Sequence, residues 1–258
     1  MKNKLMKMFM KSLALIRSVL ATFLFPFTVL ILGPLAMLGH YLFHNRKLDD
    51  AILSFWGRVC CRMSGVKVVV EGRENIPEEG CLFLFNHTSF FDIFTMCGYI
   101  PEVRFGAKSE LFKIPVFAQT MKAMNVLPIA RNKPNEVFKI YEEAKNRFGT
   151  GEQFALSPEG GRFYGKQLSP FKSGPFIFAM SAGAPLVPVV IIGANTALPK
   201  GGILFNKSKL SHTIYLKILE PIDTKKYTSD QDSRRDLQNI VYNKMNSVWT
   251  QEEDFANP

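Results

Sequence analysis

"CLFLFNHTSFFD", residues Cys81–Asp92, changes character halfway. It opens as a short apolar run of the length of a buried strand. It closes on Ser89-Phe90-Phe91-Asp92, a [ST]-x-x-[DE] capping box that predicts a helix from near Phe90. In that box Ser89 would accept from the Asp92 amide and Asp92 would reach back to the Ser89 amide. The same strand-then-helix alternation continues in both directions. Strand-like runs are "VKVVVEG", "VRFGAK", "NVLPIA", "EQFALS", "LVPVVIIG" and "TIYLKIL", and further helical patterns begin near Ser109, Asn135, Gly174 and Ser229. The predicted fold class is α/β, with a mostly parallel central sheet flanked by helices. Ligands of such sheets gather beyond the carboxyl ends of the strands. Two polar loops fall there: "NHTSFFD" after "CLFLF", and "SPEGGR" (157–162) after "EQFAL".

Upstream of the alternating body the chain is of another kind. Lys2, Lys4, Lys7, Lys11 and Arg17 precede a stretch, Ser18–Phe43, without Asp, Glu, Lys or Arg. As one helix this stretch would be roughly 39 Å long, against a hydrocarbon core of ~30 Å. It is too long for the core of a cleaved signal peptide, and "LFHNRK" is a poor cleavage site. Either a single transmembrane helix or a hairpin dipping into one leaflet remains. Pro26 and the Gly33-Pro34 step, with Arg46 and Lys47 beyond, favour the hairpin. Next, "LDDAILSFWGRVCCRMSG" has the spacing of an amphipathic helix, with Asp49 or Asp50 to cap its start and Gly65 to end it. The division is therefore residues 1–64, N-terminal membrane-associated helices, and 65–258, the α/β domain.

Charge and composition narrow the partners. Lys and Arg number 32 against 22 Asp and Glu, a formal charge of +10, and 23 residues are Phe. A basic, aromatic-rich protein suits anionic partners that also offer apolar surface, and membrane lipid fits best. No zinc-finger, basic-zipper or RNP-type sequence points to nucleic acid. Cys60, Cys61, Cys81 and Cys97 form no C-x-x-C pair and are expected to be buried and reduced, so no metal site is expected.

His87 and Asp92 admit two readings. In one, His87 is an ordinary loop histidine before a capped helix. In the other, Asp92 on the first turn points back to His87, fixes its tautomer and leaves the second ring nitrogen free as a base. "SPEGGR" taken alone is a turn with charged edges.

Taken together, the blocks resemble the glycerolipid acyltransferases of the lysophosphatidic acid acyltransferase type. "NHTSFFD" is similar to that family's Asn-His-x-Ser-x-x-Asp block. "AKSELFKIPVF" with "NVLPIAR" resembles the second block, "SPEGGR" the Pro-Glu-Gly-x-Arg block, and "PFKSG" with "APLVPVVIIG" the proline-bearing strand that closes the set. All four occur in order across Asn86–Gly193. The chain departs from the family at Ser157, where Phe is common, at Gly161, where Thr is common, and at Asn125, where Gly is common.

The resemblance implies a fatty acyl group moving from a thioester, acyl-CoA or acyl carrier protein, to the hydroxyl of a lysophospholipid such as lysophosphatidic acid, on the cytoplasmic face of a membrane. No cofactor beyond that co-substrate is implied. His87 would be the general base and Asp92 its orienting acid. Arg162 and Arg131 would grip the acceptor's phosphate, with Lys108 and Lys172 as secondary cations. Glu159 would bind the acceptor's glycerol hydroxyl or hold a neighbouring arginine, and amides near Gly160-Gly161 would meet the oxyanion. Phe90, Phe91, Phe94, Phe112 and Phe117 are candidates for an acyl channel. Alternatives are a related enzyme with another lysolipid acceptor, a catalytically silent membrane-binding protein of the same fold, and a serine hydrolase. For the last, no G-x-S-x-G is present.

Overall fold

The computed structural model describes residues 2–100, 102–130, 132–228 and 230–256. Two helices come first, α1 (Lys2–Phe43) and α2 (Arg46–Met63). The body follows as β1 (Val66–Glu71), β2 (Leu82–Phe85), α3 (Phe91–Tyr99), β3 (Val103–Lys108), α4 (Phe117–Ala123), β4 (Leu127–Ile129), α5 (Pro134–Ala144) and β5 (Gln153–Leu156). It ends with α6 (Gly174–Ala182), β6 (Leu186–Ile192), α7 (Ala194–Ala197), β7 (His212–Ile218) and α8 (Gln231–Ala256). Every strand run read from the sequence is a strand. Ser109 opens a short 3-10 turn, Ser109–Lys113, and the α-helix of that region starts later, at Phe117. Ser229, the expected start of the last helix, lies outside the described residues.

The strands form one seven-stranded sheet in the order β1-β7-β6-β2-β5-β3-β4. All neighbours are parallel except β6 and β7. The central strands read as continuous apolar runs because helices cover both faces. Phe83, Phe85, Val187, Val189 and Ile191 face one core with Cys60, Cys61, Phe91 and Phe94. Their neighbours in sequence, Leu82, Leu84, Leu186, Val190 and Ile192, face the other core with Phe176, Phe178, Val241 and Trp249. All four cysteines are free and buried, as their apolar surroundings implied. Because β2 and β5 are adjacent and parallel, the loops after them leave the sheet at the same edge, side by side. This juxtaposition brings the two polar motifs together.

The N-terminal segment differs from expectation in two respects. α1 runs unbroken through Pro26 and Pro34, and the chain turns instead at His44, whose φ is +48°, and Asn45. Asn45, rather than Asp49 or Asp50, caps α2 by accepting from the Lys47 and Leu48 amides at 3.0 and 3.4 Å. Asp49 pairs with His40 across the turn, and Asp50 with Arg104 of β3. Tertiary packing holds the helix through its breakers. Gly33 lies so close to α4 that a Cβ there would stand 2.6 Å from Thr120 Oγ1, while Ala14, Ser18, Ala21 and Ala36 are buried and set one face of α1 against the protein. α2 in turn meets α3 backbone to backbone: a Cβ on Gly57 would stand 2.6 Å from Gly98 N.

Candidate active site

Asn86, at the end of β2, is where the chain leaves the sheet. Its side chain continues the ladder in place of a backbone, donating to Ile191 O at 3.0 Å and accepting from Ile191 N at 2.7 Å. An amide carries donor and acceptor side by side, as a peptide group does. His87 and Thr88 are thereby released into the loop without orphaning β6.

Asp92 is fully buried on the first turn of α3, and its Oδ2 accepts three bonds. They come from the Thr88 amide at 2.7 Å, the Ser89 amide at 2.8 Å and His87 Nδ1 at 2.8 Å. One half of the capping box is thus formed. In the other half, Ser89 Oγ accepts from the Phe91 amide at 3.2 Å rather than from Asp92, and donates to Leu198 O at 2.7 Å. The two readings of this stretch coexist: the carboxylate that organises the helix start also fixes the imidazole. A proton on Nδ1 leaves Nε2 as the acceptor, and Nε2 has no hydrogen-bond partner among the described residues.

The second loop holds His87 from the opposite side. Glu159 Oε1 accepts from the His87 amide at 2.8 Å, and the Phe163 amide donates to the His87 carbonyl at 2.8 Å. Glu159 Oε2 accepts from the Ser169 amide at 3.1 Å. Glu159 is thus a buried tie between two backbone amides. Burial lifts its carboxyl from the ordinary 4.5 to about 7, against the pull of those two amides. The folded state holds this proton more tightly than the unfolded chain, so the contribution is fullest below pH 4.5 and is lost as pH rises toward 7. Over that window wild type is expected to lose on the order of 3 kcal/mol relative to Glu159→Gln. Thermal midpoints of both proteins in detergent across the window check this, and parallel profiles would contradict it.

Gly160 has φ +70°, and its amide donates to Ser157 O at 3.2 Å. That amide is thus engaged within the turn and is not free to meet an oxyanion. The Gly161 amide has no partner among the described residues and stays available. Lys172, itself exposed, lays its stem against Gly160, where a Cβ would stand 2.8 Å from it. Arg162 stacks over the Phe90 ring, 4.7 Å from its centroid. Lys108 is exposed and paired with Glu110 at 3.4 Å. Arg131 lies outside the described residues.

His87, Arg162 and Lys108 line one cavity of about 400 Å³. Its wall is largely apolar, made by Phe25 and Leu32 of α1, Trp56 of α2, Phe94 of α3 and Phe117 and Met121 of α4. Of the five phenylalanines named from the sequence, Phe90, Phe94 and Phe117 line it. Phe91 is buried in the core, and Phe112 is not part of the lining. Sequence reading missed that α1 and α2 supply a wall; Trp56 on a helix rich in apolar residues was the available signal.

The site is thus a His–Asp pair beside an apolar cavity, at the carboxyl ends of parallel strands of an α/β sheet. Comparison with known proteins sharpens this. Residues 67–192 match the family model described as Acyltransferase. A chloroplastic 1-acyl-sn-glycerol-3-phosphate acyltransferase of Brassica napus is 31% identical over 165 residues, 62% of this chain and 48% of the relative. The 1-acyl-sn-glycerol-3-phosphate acyltransferase of Escherichia coli is 30% identical over 154 residues, 58% of this chain and 60% of the relative. Among solved structures, the 1-acyl-sn-glycerophosphate (LPA) acyltransferase PlsC of Thermotoga maritima superposes with TM-score 0.74 at 28% identity, covering 90% of this chain and 96% of that one. The chain spans about half the length of the plant relatives it matches, 48% and 46%. Over residues 67–192 the chain is similar to the acyltransferase family.

Proposed function

We propose that the protein transfers a fatty acyl group from an acyl thioester, acyl-CoA or acyl carrier protein, to the free hydroxyl of lysophosphatidic acid, giving phosphatidic acid. The observation that carries this reading is the 2.8 Å bond from His87 Nδ1 to Asp92, on a ring that lines the apolar cavity together with Arg162. His87 Nε2 takes the proton of the acceptor hydroxyl as its oxygen attacks the thioester carbonyl. The tetrahedral oxyanion collapses, the carbon–sulfur bond breaks, and the proton passes from Nε2 to the departing thiolate. The nucleophile is the substrate's own hydroxyl, so no acyl-enzyme forms and positioning supplies much of the rate. The Gly161 amide is the candidate donor to the oxyanion.

Arg162 is the proposed grip on the acceptor's phosphate, with Arg131, Lys108 and Lys172 as further cations near an anionic headgroup. The cavity receives an acyl chain, each buried methylene contributing ~0.8 kcal/mol. Arg162→Ala is expected to raise KM for lysophosphatidic acid ~10-fold or more with kcat less affected, as removal of a hydrogen bond to a charged group costs about 1.5–3 kcal/mol. Steady-state kinetics with the acceptor varied in mixed micelles measure this, and an unchanged KM and kcat would remove the phosphate role.

Residues 1–64 are the proposed membrane-associated unit and 65–258 the catalytic domain. The mean hydropathy of 2.2 over the most apolar 18-residue stretch of α1, and the exposed Leu, Ile and Phe side chains of the helix, support insertion. At 1.5 Å per residue its 42 residues extend about 63 Å, far beyond the ~30 Å core. One face of α1 is covered by the body from Ala14 to Ala36. A helix crossing the bilayer over that length would carry the body into the hydrocarbon with it. Embedding in one leaflet, with the body on the cytoplasmic face, avoids this.

A further inference from the structure

α8 lies wholly outside the segment that matches the family model, yet it is bonded to the loop that runs from the Glu159 motif to α6. One stripe of the helix, Leu237, Val241, Met245 and Trp249, is buried in the core. The flanking stripe is polar and meets loop backbone. Gln238 Nε2 donates to Phe171 O at 2.6 Å and Tyr242 Oη to Leu168 O at 2.9 Å, and Asn246 Oδ1 accepts from the Leu168 amide at 2.9 Å; from the buried stripe, Trp249 Nε1 donates to Gly165 O at 3.0 Å. A helix that served only as a cover would need the apolar stripe alone.

The Tyr242 bond has a particular target. The Leu168 carbonyl and the Ser169 N–H belong to the same peptide group. Tyr242 holds the carbonyl, and the N–H donates to Glu159 Oε2 at 3.1 Å. Glu159 Oε1 in turn receives the His87 amide at 2.8 Å. Tyr242 hydroxyl, peptide, carboxylate and His87 amide thus form an unbroken hydrogen-bonded series, in which each bond polarises the next. Asn246 fixes the adjoining peptide through the Leu168 amide.

We propose that α8 is a positioning element for the catalytic histidine, acting from Tyr242 and Asn246 through the Leu168–Ser169 peptide and Glu159. The inference rests on His87 being the base of the proposed reaction. Tyr242→Phe removes the hydroxyl and keeps the ring that packs edge-on against Phe171 at 5.1 Å. Asn246→Ala removes the acceptor, and Asn246→Asp restores one. Each is measured in the full-length protein alone and combined with Glu159→Gln, with His87→Ala alongside and thermal midpoints recorded. Tyr242→Phe and Asn246→Ala are each expected to lower kcat ~10-fold with KM for both substrates unchanged, since a displacement near 1 Å can cost ~10²-fold. Asn246→Asp is expected to recover most of the loss, and neither loss is expected to add to that of Glu159→Gln. An unchanged kcat in Tyr242→Phe, or losses that multiply with that of Glu159→Gln, would overturn the link. If His87→Ala still turns over, the reading of the reaction fails and takes this inference with it. If His87→Ala is dead while Tyr242→Phe is unimpaired, only the link to α8 fails.

Discussion

His87→Ala is expected to abolish acyl transfer while leaving the fold intact. The imidazole is a rim group: its side chain is 13% exposed, on a loop whose path is set by backbone bonds to Glu159 and Phe163 rather than by the ring. Truncating it leaves those bonds in place. The acceptor hydroxyl then has no base within reach, and a positioned base contributes typically ~10²–10⁴-fold. Phosphatidic acid formation by the purified variant, beside its circular dichroism and thermal midpoint, reads both halves of this expectation. Normal turnover by a folded variant would contradict it.

Asp92→Asn is expected to be nearly as damaging, for a different reason. Oδ2 of Asp92 faces three N–H donors and offers none. A carboxylate serves all three, whereas an asparagine brings its own NH₂ to a site built for acceptors. If the amide oxygen takes that place, the negative charge that steadies the imidazolium is gone. If the NH₂ takes it, Nδ1 must accept, and Nε2 then carries the proton and cannot act as base. Either way kcat is expected to fall by up to ~10⁴-fold, the scale of a mis-set tautomer in a His–Asp pair. KM is expected to stay close to wild type, because Asp92 is fully buried and does not line the cavity. Kinetics with both substrates varied separate the two constants, and an unimpaired kcat would show that His87 works without its acid.

Much of the body was legible because its signals are local. Apolar runs such as Leu82–Phe85 and Leu186–Ile192 have only one use in a sheet covered on both faces. The His87–Asp92 pairing was legible too, since the capping-box spacing places the acid on the turn that faces the loop. What the sequence hid depends on distant packing. α1 runs through Pro26 and Pro34 because α2, α4 and the body hold it, and no local propensity records that. The role of Glu159 was hidden because its partners, His87 N and Ser169 N, are backbone groups that leave no mark on residue type. The polar stripe on α8 was unreadable for the same reason: Gln238, Tyr242 and Asn246 bond to loop backbone whose position only the fold determines.

Direct transfer from thioester to hydroxyl, with His87 moving the proton, is tested most sharply by a single-turnover experiment followed by intact mass. The purified protein is mixed with labelled acyl-CoA or acyl carrier protein, first without and then with lysophosphatidic acid, and quenched at short times. The expected result is an unmodified protein in the first case and labelled phosphatidic acid in the second. An acyl adduct on the protein, or thioester cleavage that releases free fatty acid without forming the lipid, would contradict it.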